Sequence, residues 1–200
     1  MLPALTGPRG PMHAVVAFAG HHVIATDVDE STACTRLPRD DLGAPMSASF
    51  LLFLAGWVGA EPGTLDVVLA APPSLSAPSP APASEMDVWV RDDLDDHPRV
   101  RRARHFRPDA VVYADAKADE PAGVLLVGQG VAGRWEMAYE VEPAARGRGL
   151  GRRLAGVATS LVPEGEPVFA QVAPGNVSSM RACLAAGYVP VGAEVLFAPR

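Results

Sequence analysis

Residues 143–158 read PAARGRGLGRRLAGVA, with glycine at 147, 149 and 151 and arginine at 146, 148, 152 and 153. The run follows a strand-like stretch, RWEMAYEVE (134–142), and leads into apolar residues Leu150, Leu154, Val157 and Leu161, which fall on one helical stripe. A helix starting near Gly149 turns its unpaired N–H groups and the positive end of its dipole toward whatever precedes it. Glycines at that point let an anion approach the backbone without meeting a Cβ, and the arginines add charge. The pattern predicts a bound anion in a chain whose net charge is −6.

Two phosphate motifs do not fit. A P-loop needs a lysine followed by a hydroxyl residue after its glycines, and neither is present. A dinucleotide G-x-G-x-x-G would need glycine where Arg152 stands, and would begin directly at the strand end instead of after Pro143 and two alanines.

The rest of the chain narrows the class. Its 200 residues suit one large domain or two small ones, and 48% of them are apolar, enough to build a core. The acidic balance argues against a general nucleic-acid binder. Cys34 and Cys183 stand far apart in no metal-like or disulfide-framework spacing, so a cytoplasmic location is expected. The opening MLPALTGPRGPM lacks the apolar core of a signal peptide. The longest apolar run, FLLFLAGWVGA at 50–60, is too short to span a bilayer and reads as a buried helix, so no membrane role is expected.

Along the chain, HAVVAFAGHHVIATDVD predicts a hairpin turning at Gly20–His21, with His21 and His22 at its surface. A helix is expected at about 47–59 and a strand at 65–70. Residues 71–84 are proline-, alanine- and serine-rich and show no periodicity. The segment DDLDDHPRVRRARHFRPD reads as an acidic run capping a basic helix that Pro108 helps to end, with Asp92, Asp93, Asp95 and Asp96 as caps instead of metal ligands. Strands are predicted at 110–116, 122–130, 134–142 and 167–173. A second helix at about 178–186 is closed by Gly187, and a strand ends the chain. The order implies an α/β fold: a mixed sheet with one parallel pair. The boundaries expected are an N-terminal α/β region at 1–75, a linker at 76–86 and a domain at 87–200 that holds the loop.

The run R-x-x-G-x-G from Arg146 to Gly151, preceded by V-x-P at Val141–Pro143, resembles the acetyl-CoA pyrophosphate loop of the GNAT acyltransferase superfamily. Upstream, W-E-M-A-Y-E-V-E-P is similar to that family's loop-preceding strand, with Glu136, Tyr139, Val141 and Pro143 in step. Downstream, VAPGNVSSMRACLAAGY carries the family's asparagine, Asn176, and its closing Gly187–Tyr188. The resemblance covers about residues 110–195; residues 1–75 match no motif of the family.

What the resemblance implies is a splayed parallel pair, 134–142 and 167–173, with the pantetheine of acetyl-CoA (or another acyl-CoA) between them. Backbone amides around Tyr139 and Val141 would hold it and polarise the thioester carbonyl. Arg146, Gly147, Arg148, Gly149, Leu150, Gly151 and Arg152 would hold the pyrophosphate, and Asn176 would contact the cofactor. The chemistry would be direct attack by an amine, carried by a small molecule or a peptide, with no metal. A base is then required. Alternation places Glu136, Ala138, Glu140 and Glu142 on one face of the strand and Trp135, Met137, Tyr139 and Val141 on the other. Glu136 is the first candidate base, acting through water, and Glu140 the second. Where many members carry a tyrosine that protonates the leaving thiolate, this chain has Cys183, which is either a weak replacement acid or a small helix residue. The basic run 97–107 reads as a solvated face, or as a patch for an acidic acceptor or the CoA 3′-phosphate. Pairing of two copies through sheet edges is compatible with the resemblance. The alternative to an N-acyltransferase is a non-catalytic acyl-CoA-binding module that regulates a partner.

Overall fold

The computed structural model describes residues 1–7, 10–73, 87–116 and 119–199; the linker expected at 76–86 lies outside them. Two compact units form, one of residues 1–68 with 191–200 and one of residues 69–190. The first begins with β1 (Leu5–Gly7), β2 (Gly10–Phe18) and β3 (His21–Ala25), antiparallel neighbours in that order. The β2–β3 turn is the one predicted, with Gly20 at φ 81°. Then come α1 (Glu30–Cys34), α2 (Ala48–Val58), β4 (Ala60–Pro62) and β5 (Asp66–Ala71). Ser47 caps α2 by accepting from the Phe50 N–H, and Gly59, left-handed at φ 65°, ends it.

The second unit contains β6 (Trp89–Val90), α3 (Pro98–Arg104), β7 (Val111–Ala114), β8 (Gly123–Gln129), β9 (Trp135–Val141), α4 (Leu150–Ala158), β10 (Val168–Val172) and α5 (Val177–Ala185). Strands β6 to β9 pair antiparallel in sequence order, and β10 joins β9 in parallel, giving the mixed α/β sheet expected. The closing strand β11 (Val189–Pro199) returns to the first unit, where Gly192–Phe197 pair antiparallel with β2. There Phe50, Leu54 and Ala55 of α2 bury against Val15, Ile24, Val195 and Phe197.

The two faces of β9 are covered by different helices. On the face of Ala138, α3 packs Val100 and Ala103 against Val112, Val124 and Leu126. On the other, α4 brings Leu150 and Leu154 against Gly123, which pairs with Val141. A Cβ at Gly123 would lie 2.8 Å from Leu154 Cδ1, so the missing side chain lets the helix close on the sheet.

Three local expectations change. Leu161 lies beyond α4, because the Thr159 and Ser160 hydroxyls donate to the carbonyls of Gly156 and Val157 and end the helix three residues earlier. The cap of α3 is not an aspartate but His97, whose Nδ1 accepts from the Arg99 N–H at 3.1 Å. Asp95 and Asp96 instead reach Arg104 and Arg101 at 2.7 and 3.9 Å. Elements as short as α1, β1, β4 and β6 show no readable periodicity, and pairing or capping alone defines them.

Leu154 has no exposed surface, and truncation there leaves a void between α4 and β8. Leu154→Ala is expected to lower unfolding free energy in urea by about 2–5 kcal/mol. Leu52→Ala, at a residue 65% exposed, is expected to stay within about 0.5 kcal/mol of the parent.

Candidate functional site

Strand β9 is paired with β8 from Trp135 to Val141, yet its register with β10 holds at Phe169↔Glu136 alone among the described residues. The Glu142 N–H donates to Ala122 O on the β8 side. Backbone groups alternate along a strand, so those of Tyr139 and Val141 point away from β8, toward β10. Beyond Glu136 the strands part, and this edge is open. Arg146 closes its end by donating from Nε to Val141 O at 2.9 Å.

The glycine loop follows. Gly147 and Gly149 adopt φ of 75° and 79°, a region that L side chains avoid. A Cβ at Gly147 would meet nothing within 4 Å, so the ground above the loop is open. Gly149 begins α4, and no side chain caps the helix, so its first N–H groups stay available. Gly151 has a further reason to lack a side chain: a Cβ there would lie 3.0 Å from Tyr139 Cε2. Leu150 is buried in the α4–β8 core and offers the loop only its backbone. Arg146, Arg148, Arg152 and Arg153 are exposed, and none has a carboxylate partner among the described residues. Arg153, one of the four arginines read as adding charge, turns Nη1 toward Arg148 O at 3.4 Å.

Glu136 departs from its expected role. Its Oε1 accepts from Arg134 Nε at 2.6 Å and from the Val131 N–H at 3.2 Å, while Oε2 accepts from Arg107 Nη1. The residue is 2% exposed. Three donors occupy the carboxylate, which acts as the counter-ion of two arginines and is buried away from solvent. Gly130 makes room for it, since a Cβ there would sit 2.3 Å from its carboxyl carbon. Glu140 is partly exposed and lies four residues further along the same face, where the strands have parted.

On the opposite face, the Tyr139 ring rests on α4 with its hydroxyl buried beside Ser179 and Cys183. Burial pushes that hydroxyl up to about 12 and the Cys183 thiol up to about 11. Cys183 is fully buried in α5, a place for a small packing residue and not for an acid that meets a leaving group. Tyr188 is also core, its hydroxyl donating to Ala155 O at 3.1 Å. Asn176 is the N-cap of α5: its Oδ1 accepts from the Ser179 N–H and the Ser178 hydroxyl, which leaves the amide NH₂ outward. Among the described residues, no cluster of His, Cys, Asp or Glu could hold a metal ion, and no helix is long and apolar enough to cross a membrane.

Residues 79–188 match a family model described as the acetyltransferase (GNAT) family. Similar solved structures include a GCN5-related N-acetyltransferase from Kribbella flavida, 17% identical, covering 74% of this chain and 62% of that one with a TM-score of 0.47. A GCN5-related N-acetyltransferase from Sphaerobacter thermophilus is 20% identical, covering 76% of this chain and 56% of that one, with a TM-score of 0.46. An acetyltransferase of the GNAT family from Colwellia psychrerythraea is 10% identical, covering 97% and 83%, with a TM-score of 0.49. The chain thus spans less than two thirds of the length of the first two. No curated protein matches it by sequence.

Removing the Glu136 charge leaves Arg107 and Arg134 buried with their counter-ion gone. Glu136→Gln is expected to cost about 3–5 kcal/mol in urea unfolding; an unchanged fold with collapsed acyl transfer would restore a catalytic role to the residue. Because the Cys183 thiol stays neutral below about 11, iodoacetamide at pH 8 should label the exposed Cys34 and spare Cys183. Intact-protein mass spectrometry reads this directly, and labelling of Cys183 in the folded chain would contradict it.

Proposed function

The chain belongs to the GNAT acetyltransferase family, and from that membership we propose that it moves an acetyl or other short acyl group from a CoA thioester to an amine. One observation carries the reading: α4 starts uncapped at a left-handed Gly149, ringed by exposed arginines without carboxylate partners, beside a strand edge that has lost its neighbour. Such a start suits a diphosphate. The residues fit the cofactor in two further respects. The open ground over Gly147 admits a phosphate, and the free backbone edge at Tyr139 and Val141 can pair with the amides of a pantetheine arm.

Bound there, the CoA thioester supplies the activated acyl group. The amides of Gly149, Leu150 and Gly151 and the side chains of Arg148 and Arg152 hold the diphosphate, with Asn176 donating from its amide NH₂. Arg146 keeps the Val141 carbonyl occupied, so the Val141 N–H is the group left to face the thioester oxygen. Glu140 takes the proton that the amine must lose before its nitrogen bonds to the acyl carbon and the carbon–sulfur bond breaks. Glu136 positions β9 through its arginines. The thiolate leaves without a protein acid, its solution pKa being close to that of cysteine, roughly 8.5. All these groups lie within 87–200, the part to which we assign the chemistry, in a cytoplasmic setting.

A second reading, a non-catalytic acyl-CoA-binding module, is favoured by the burial of Cys183 where many relatives carry the acid. Release of CoA in the presence of amines separates the two. Cofactor binding itself is tested by isothermal titration with acetyl-CoA. Saturable binding is expected, weakened about 100-fold or more in Gly149→Asp, which places both backbone strain and negative charge on the diphosphate site; that loss equals about 2.7 kcal/mol. Absence of binding by the parent to acetyl-CoA and to free CoA would overturn the proposal.

A further inference from the structure

The α3 face of the gap holds more buried donors than acceptors. Arg99, in the first turn of α3, has its Nε buried without a hydrogen-bond partner and makes no ion pair among the described residues. Arg107 is buried, and its Nη1 serves Glu136 and Gln171 Oε1, but its Nε has no acceptor. Gln171, on β10 past the last register pair, has its Nε2 buried and unpartnered. Helix, loop and strand thus each bring one unsatisfied N–H to the same place. A buried donor without an acceptor is costly, so such groups meet a partner when the site is filled.

The remaining charges say which partner. Glu136 is used up by Arg107, Arg134 and the Val131 N–H. The outward arginines of α3, Arg101 and Arg104, have Asp96 and Asp95. At Arg99, burial first, and then the charges of Arg107 and Arg102, pull the pKa down, while Glu140 and Tyr139 are its counterweights on β9. Its planar fork suits the two oxygens of a carboxylate. Glu140 beside it disfavours a bare anion and favours a cation. An ammonium and a carboxylate in one small molecule answer both groups at once. The CoA 3′-phosphate does not, because the arginines that take the diphosphate lie in α4 and the loop that leads into it, and α4 covers the opposite face of β9.

We infer that the acceptor is an amine bearing a carboxylate close to its nitrogen, of the free amino-acid type, with Arg99 holding the carboxylate, Gln171 and Arg107 adding donors, and Glu140 receiving the amine. This rests on the acyl-transfer reading above and names its substrate class. The basic run that looked like a solvated helix face is divided: Arg101 and Arg102 are exposed, and Arg99 is a specificity residue.

The test compares matched acceptors, free amino acids and their carboxamides across several side chains, in a CoA-release assay with acetyl-CoA. The expected result is a kcat/KM at least about 30-fold higher for the carboxylates, lost in Arg99→Gln mainly through KM and partly kept in Arg99→Lys, while acetyl-CoA affinity stays at the parent value. Equal rates for acid and amide in the parent, or a preference that survives Arg99→Gln, would overturn the inference and leave acyl transfer standing. Absence of CoA release with every amine would instead count against acyl transfer. A turnover-free arm then decides the site: titration of the CoA-bound protein with N-acetylglycine and N-acetylglycinamide. At least tenfold tighter binding of the acid, abolished in Arg99→Gln, is expected; equal binding, or binding of neither, overturns the carboxylate site.

Discussion

The single register pair between β9 and β10 is the constraint on which the rest of the second unit depends. Two parallel strands that paired along their length would leave no edge for a ligand. These meet at Phe169 and Glu136 and then part. The junction is held by a buried carboxylate between two arginines, one from the loop that precedes β9 and one from the segment after α3. An ion pair of this kind contributes little net stability compared with an apolar contact of equal volume. What it does is fix where pairing stops, because each partner is tied to a different element.

From that point the site divides by face. The α4 side is closed by Leu150, Leu154 and Tyr139 over the sheet and ends in an uncapped helix start with exposed arginines. The α3 side is lined with half-buried charges and unsatisfied donors. In the proposed reading a ligand carrying a diphosphate would be served by the first and a small zwitterion by the second, and the open backbone edge between them is where the two would meet. The positive groups stand where an anion is wanted even though the chain is acidic as a whole, since the surplus carboxylates lie elsewhere.

Much of this was legible locally. The loop was found from glycines and arginines at short spacing, and the positive φ of Gly147 and Gly149 is the conformation those glycines permit. The α4 stripe as far as Val157 and the hairpin at Gly20 follow from periodicity and turn chemistry within a few residues. Gly151 has a reason to be small that the spacing did not show: a tyrosine ring on the neighbouring strand lies against it. Cys183 stood at the position where many relatives have tyrosine, but burial decides that its thiol is neutral and enclosed.

Sequence alone determined the order of the longer strands and helices, the glycine loop and the membership that both imply, because each depends on neighbours a turn or a strand apart. Only tertiary structure decided which carboxylate is spent as a counter-ion and which faces the gap. Arg107 is 29 residues from Glu136 and 64 from Gln171, and no pattern along the chain brings them together. Alternation puts Glu136 and Glu140 on the same face, and the family resemblance ranked Glu136 first. Three donors around the first and the opening of the strands before the second set them apart.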